Sequence, residues 1–306
     1  MTEGEALTSQ PPPAPRPLHW GGALVILILS QWTLRQGEAL FGVLFQWLVL
    51  PTRVIDMTAP PEAGAWLLAS QTLSFAILAA AVIVGARIWA ALPPTAIGLN
   101  LRALHDSHRW VIAGLAAALP TIVPLFELPS GWMTELARAL PLLTPAILIQ
   151  SATEEILFRG LLLGLLAARY GPLRGALISA ALFGAWHIYI GQPWLDLIFR
   201  FATTFVFGVT SAMLVLKQGH LGGAIALHMI WNLTLAVTSG LQDWPTISFW
   251  QALNGYYYGL PLYEWNSTYV GAILLPLVIE SILVFAFTRD LIVELLSPNQ
   301  NRNNFA

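Results

Sequence analysis

Six side chains able to move protons or hold charge recur at helical spacing: Glu154, Glu155 and Arg159 in "SATEEILFRG", His187 in "LFGAWHIYIG", and His228 with Asn232 in "ALHMIWNLT". A carboxylate and an imidazole can hold a water between them and take its proton. An imidazole and a carboxamide one turn apart on a helix can donate hydrogen bonds to an oxyanion. Together these groups describe hydrolysis of a peptide bond. The same residue types also admit a zinc ion, with Glu154, His187 and His228 as ligands.

Helical neighbours lie three or four residues apart, so Glu155 shares a face with Arg159, and His228 with Asn232. Glu154 is rotated by about 100° from Glu155. One glutamate can therefore bind Arg159 while the other faces something else. Glu154 and His187 are 33 positions apart (187 − 154), with Tyr170-Gly171 at the midpoint and Pro172 directly after it. A helix break there lets two helices fold back on each other. Both residues then lie roughly 24 Å from the turn and arrive at the same depth. The helices that meet at so short a turn are antiparallel neighbours, and carboxylate and imidazole can touch.

These groups must be held by apolar helices. Of 306 residues, 57% are hydrophobic and 10% charged, and the mean hydropathy is +0.68. Soluble domains carry about 25% charged residues, so the composition reads as an all-α polytopic membrane protein. A charge at the bilayer centre costs about 2.5–3.5 kcal/mol. The clustering of acids, a base and two imidazoles is explained if they face one another in an internal site. The net charge of −2 says nothing useful about nucleic acid, but no basic stripe exists to hold phosphates, so nucleic acid is not expected as a partner. The absence of cysteine removes disulfides, thiolate nucleophiles and Cys-ligated metals.

A span takes about 20 mostly apolar residues. Candidates are 20–50 (interrupted by Arg35, Gln36, Gly37 and Glu38), 63–92, 110–126, a segment from 132 or 141 to 170, 173–190, 195–216, 221–239 and 269–288. The expectation is thus about eight transmembrane helices with the site inside the bundle. Residues 1–19 read as a disordered Pro-rich tail, 20–290 as one helical domain and 291–306 as a polar tail. Residues 240–268 are crowded with Trp and Tyr and read as an interfacial loop or lid. Asn266 begins an "NST" sequon to which no role is assigned. Arg87, Arg102, Arg109, Arg169, Arg174, Lys217, Arg289 and Arg302 lie on one set of connections, and the aromatic loop has neither Lys nor Arg. The positive-inside rule then puts both termini in the cytoplasm, although Arg53, Arg138 and Arg200 dilute the contrast.

The three clusters resemble the motifs EExxxR, FxxxH and HxxxN of the CAAX-protease and bacteriocin-processing family of intramembrane endopeptidases, also called Abi proteins. They stand here as Glu154-Glu155-Ile156-Leu157-Phe158-Arg159, Phe183-Gly184-Ala185-Trp186-His187 and His228-Met229-Ile230-Trp231-Asn232, and the likeness covers about 141–235. The resemblance implies a glutamate-dependent membrane protease acting on a membrane-associated protein or peptide, and the lack of a compact metal motif leans toward a mechanism without a metal. Glu154 and His187 would activate water, and His228 and Asn232 would form the oxyanion site. It further implies a multi-pass protein of a prokaryotic cell membrane.

Plainer roles stand beside these. Glu155–Arg159 can be a buried ion pair that fixes helix register, and Phe183, Trp186 and Trp231 can be packing. Arg35 with Glu38, and Glu280, can snorkel or pair. Two other functions compete: a catalytically idle immunity or peptide-binding protein, and a proton-coupled transporter, which would favour inverted repeats not seen here. The sequence has no HExxH, GxSG or GxGD motif of other membrane proteases. With the 170–174 turn in the cytoplasm, a site roughly 24 Å away lies in the far half of the membrane, whereas a CAAX-type role needs access from the cytoplasm.

Overall fold

The computed structural model describes residues 22, 25–34, 60–122, 130–188, 193–242 and 267–297. The N-terminal tail, Arg35 and Glu38, and most of the aromatic loop lie outside them. The described residues are helical, with no strand among them. The elements are α1 (Val25–Leu34), α2 (Pro60–Trp89), a 3₁₀ turn (Pro94–Ile97), α3 (Leu101–Ile122), α4 (Ser130–Glu155), a π-helical segment (Ile156–Leu162), α5 (Leu163–Tyr170), α6 (Pro172–Trp186), α7 (Trp194–Gln218), α8 (Gly222–Gln242) and α9 (Ser267–Leu296).

The expectation of about eight transmembrane helices is corrected. Among the described residues, two helices are long and apolar enough to cross a membrane, Leu68–Ile88 within α2 and Trp194–Gln218. Together with the apolar composition they indicate at least partial membrane integration. The candidate 20–50 lies mostly outside the described residues, and several of the others fall short for identifiable reasons. The 173–190 run resolves into the 15-residue α6, about 22 Å at helical rise against a hydrocarbon core of about 30 Å. The 141–170 run is divided among α4, the π segment and α5, and carries Glu154, Glu155 and Arg159. Glu280, Arg289, Asp290 and Glu294 lie along α9. The apolar stretch described in α8 is Gly222–Val237.

The turn that matters for the site is at Gly171, whose φ of +85° suits a residue without Cβ. Its N–H bonds to Ala167 O, and Pro172 opens α6 with its φ already set. The helices cross so closely that a Cβ on Gly175 would lie 2.6 Å from Ala167 N and 2.7 Å from its Cα. Backbone cannot yield as a side chain can. Gly175→Ala is therefore expected to cost about 1–3 kcal/mol and to lower the thermal midpoint in detergent. Gly164→Ala on the exposed side of α5, where a Cβ meets nothing within 4 Å, is the control. It is expected to gain up to about 1 kcal/mol of helix propensity.

One apolar cluster wraps the site, drawing on the π segment, α5, α6, α7 and α8, with Phe158, Phe183, Trp186, Phe207 and Trp231 among its buried rings. The 3₁₀ turn closes against it. Gly98, at φ +80°, accepts from Leu221 N–H at the start of α8, and Gly160 leaves room for Ile97 O, which a Cβ there would meet at 2.8 Å. Close by in the chain, in the last turn of α7, Lys217 donates to Asp290 on α9. That hydrogen bond holds the exposed Asp290 carboxyl below its usual range.

Candidate active site

Glu154 and Glu155 are the last two residues of α4, and Arg159 lies in the π segment that follows. In this segment Leu163 N–H reaches back five residues to Phe158 O, and Ser179 on α6 donates a second bond of 2.7 Å to the same carbonyl. Every residue from Ile156 to Leu162 is buried. A π turn inside an α-helix often marks a functional site.

The two glutamates diverge. Glu155 Oε1 lies 3.1 Å from Arg159 Nη1 and 2.8 Å from His228 Nδ1 on α8. The Arg159 guanidinium also lies over the Phe183 ring, 4.1 Å from its centroid, an arrangement in which the ring face replaces lost hydration. Glu154 Oε2 lies 3.7 Å from His187 Nε2 and 3.7 Å from His228 Nε2. The fold-back at Gly171 thus brings carboxylate and imidazole together from 33 positions apart (187 − 154).

Hydrogen bonds fix which atoms meet. His187 ends α6, and its Nδ1–H donates to Phe183 O at 2.8 Å. This leaves the Nε2 lone pair towards Glu154. His228 Nδ1 carries the hydrogen when it donates to the Glu155 carboxylate, which also lies against Arg159. Phe183 therefore does more than fill space: its carbonyl sets the His187 tautomer and its ring bears on Arg159, His187 and His228. Trp186 and Trp231 serve as packing, against Phe158 and Phe207 respectively.

α4 and α8 run antiparallel here, and two rungs join them. Glu155 meets His228, and one turn away Ser151 Oγ accepts from Asn232 Nδ2 at 3.4 Å. Ser151 is fully buried. Neither Ser151 nor Gln150, whose Nε2 donates to Glu154 Oε1 at 3.3 Å, stood out in the sequence. The signal available was their position, each four residues before a glutamate. Gln150, Ser151, Glu154 and Glu155 make two adjacent stripes along α4.

Glu154, Glu155, Arg159, His228 and Asn232 are all buried, and His187 is half-buried, its side chain 22% exposed. His187 is thus the group through which the cluster reaches the surface. Glu154 Oε2 has no hydrogen-bond partner among the described residues. Among the described residues no group of three or more His, Asp or Glu side chains is arranged to hold a metal ion, and the chain has no cysteine. Glu280, also buried, lies on α9 and has no part in this cluster.

Comparison with curated proteins gave no match, and neither did comparison with solved structures. The family comparison did. Residues 136–234, a stretch enclosing all three motifs and every side chain of the cluster, match the model of the family described as Type II CAAX prenyl endopeptidase Rce1-like.

Proposed function

We propose that this protein is a glutamic-type membrane endopeptidase that cleaves a peptide bond of a membrane-associated protein or peptide. One observation carries the reading: a buried carboxylate oxygen, Glu154 Oε2, faces two imidazole Nε2 atoms at 3.7 Å. A water at that vertex gives one hydrogen to Glu154 and the other to the bare Nε2 of His187. Its lone pair is then directed at a substrate carbonyl carbon. As the oxygen attacks, Glu154 takes the proton, and it returns the proton to the leaving amine nitrogen as the C–N bond breaks.

The oxyanion falls to His228 and Asn232. Asn232 Nδ2 has two hydrogens and Ser151 takes one, so the other is free to donate. His228 can donate from Nε2 only as an imidazolium, because Nδ1 already carries a hydrogen for Glu155.

The test is terminal-peptide proteomics on cells carrying wild type or Glu154→Ala at matched protein levels. New termini in a membrane protein that depend on Glu154 establish proteolysis and identify the substrate. Identical termini in both would favour the peptide-binding or immunity role. Fusion of a topology reporter after Gly171 addresses the side of access, with a cytoplasmic signal expected for both termini and for this turn.

A further inference from the structure

Glu154 has two oxygens, and the arrangement around it uses them differently. Oε2 faces the imidazoles of His187 and His228. Oε1 accepts a hydrogen bond from Gln150 Nε2, one turn earlier on α4, at 3.3 Å. The carboxamide must present its nitrogen, since two oxygen acceptors would repel. Among the described residues no other side chain donates a hydrogen bond to Glu154, which is 2% exposed at the end of α4. Arg159 and His228 Nδ1 are committed to Glu155.

We propose that Gln150 is a positioning residue for Glu154. Its N–H holds Oε1 and thereby turns Oε2 to the vertex shared with the two imidazoles. The role rests on the peptidase reading for its consequence, but the contact itself does not. Gln150 is only half-buried and its Oε1 has no hydrogen-bond partner among the described residues, so replacing it leaves the packing of α4 largely intact. Leucine keeps the approximate volume and removes the donor. Glutamate keeps the shape and donates only when protonated.

Two readouts test this on the full-length protein in detergent or bilayers. The first needs no substrate. The carboxylate stretch of Glu154 is isolated in the infrared difference between wild type and Glu154→Gln, and it is expected to shift when Gln150 is replaced by leucine. The second is kinetic. With the substrate identified by proteomics, Gln150→Leu is expected to lower kcat by about 10-fold, the worth of one charged hydrogen bond, with KM within twofold and the thermal midpoint unchanged. Gln150→Glu is expected to recover part of kcat as pH falls from 8 to 5, which a purely structural role would not produce. An unmoved infrared band overturns the contact. A shifted band with unchanged kcat overturns the positioning role, as does a kcat loss that only tracks a loss of thermal stability. A wild type that cleaves nothing, with the band still shifting, refutes the peptidase reading and leaves the contact standing.

Discussion

Glu154→Gln is expected to slow peptide hydrolysis by about 10²–10⁴-fold, the usual worth of a positioned general base, with the protein still folded. The substitution is isosteric, so the bond from Gln150 can persist and the cavity keeps its shape. What disappears is the proton acceptor at Oε2. A carboxamide cannot take a proton from water at neutral pH. It also removes the carboxylate that faces His187 and His228. The measurement is single-turnover cleavage by purified protein, with thermal unfolding in parallel. KM is expected to stay near the wild-type value because Glu154 binds the attacking water rather than the substrate chain. A variant that retained more than a tenth of the wild-type rate would remove Glu154 from the role of base.

Arg159→Met is expected to destabilise the fold by about 3–5 kcal/mol, the usual result of removing one partner from a buried ion pair. Both side chains of the pair are fully buried at 0% exposure, so no water replaces the guanidinium. Glu155 would keep only His228, and Phe183 would lose the cation over its ring. Reversible unfolding in mixed micelles gives the value. The double variant Glu155→Gln with Arg159→Met is expected to regain part of the loss, because it leaves no unpaired charge. Arg159→Lys is expected to fall between, since an ammonium lacks the planar fork that meets a carboxylate while lying on an aromatic face. Equal stability of Arg159→Met and wild type would mean that Glu155 is held by His228 alone.

Much of the site was legible because helices repeat and charges are scarce in apolar sequence. Glu155 with Arg159, and His228 with Asn232, could be paired by spacing alone. The Gly171-Pro172 break put Glu154 and His187 at one depth. Other features left weaker traces. Gln150 and Ser151 are ordinary polar residues in a helix, and only the positions of their partners give them meaning. The oxyanion reading paired Asn232 with His228 but could not see that Ser151 takes one of its hydrogens. The number of membrane-crossing helices was overestimated because an apolar run is additive along the sequence. It does not reveal where α4 gives way to the π segment and α5, or that α6 ends at Trp186.

The π segment also has a consequence for heredity. Its bonds span five residues where the flanking helices span four, so Ile156–Leu162 sets a phase between Glu154-Glu155 on one side and α5 on the other. A substitution there changes one side chain. A π turn fits one more residue into the same rotation than an α turn does, so the loss of one codon after Arg159 is absorbed by a return to the shorter period with the flanking helices in phase. The gain of one codon there has no such outlet and would turn α5 by about 100° relative to the glutamates, with every motif letter still in place. At this point in the gene, length is as much a part of the active site as identity, and a lineage could lose the activity by a single in-frame insertion without altering any of its six reactive side chains.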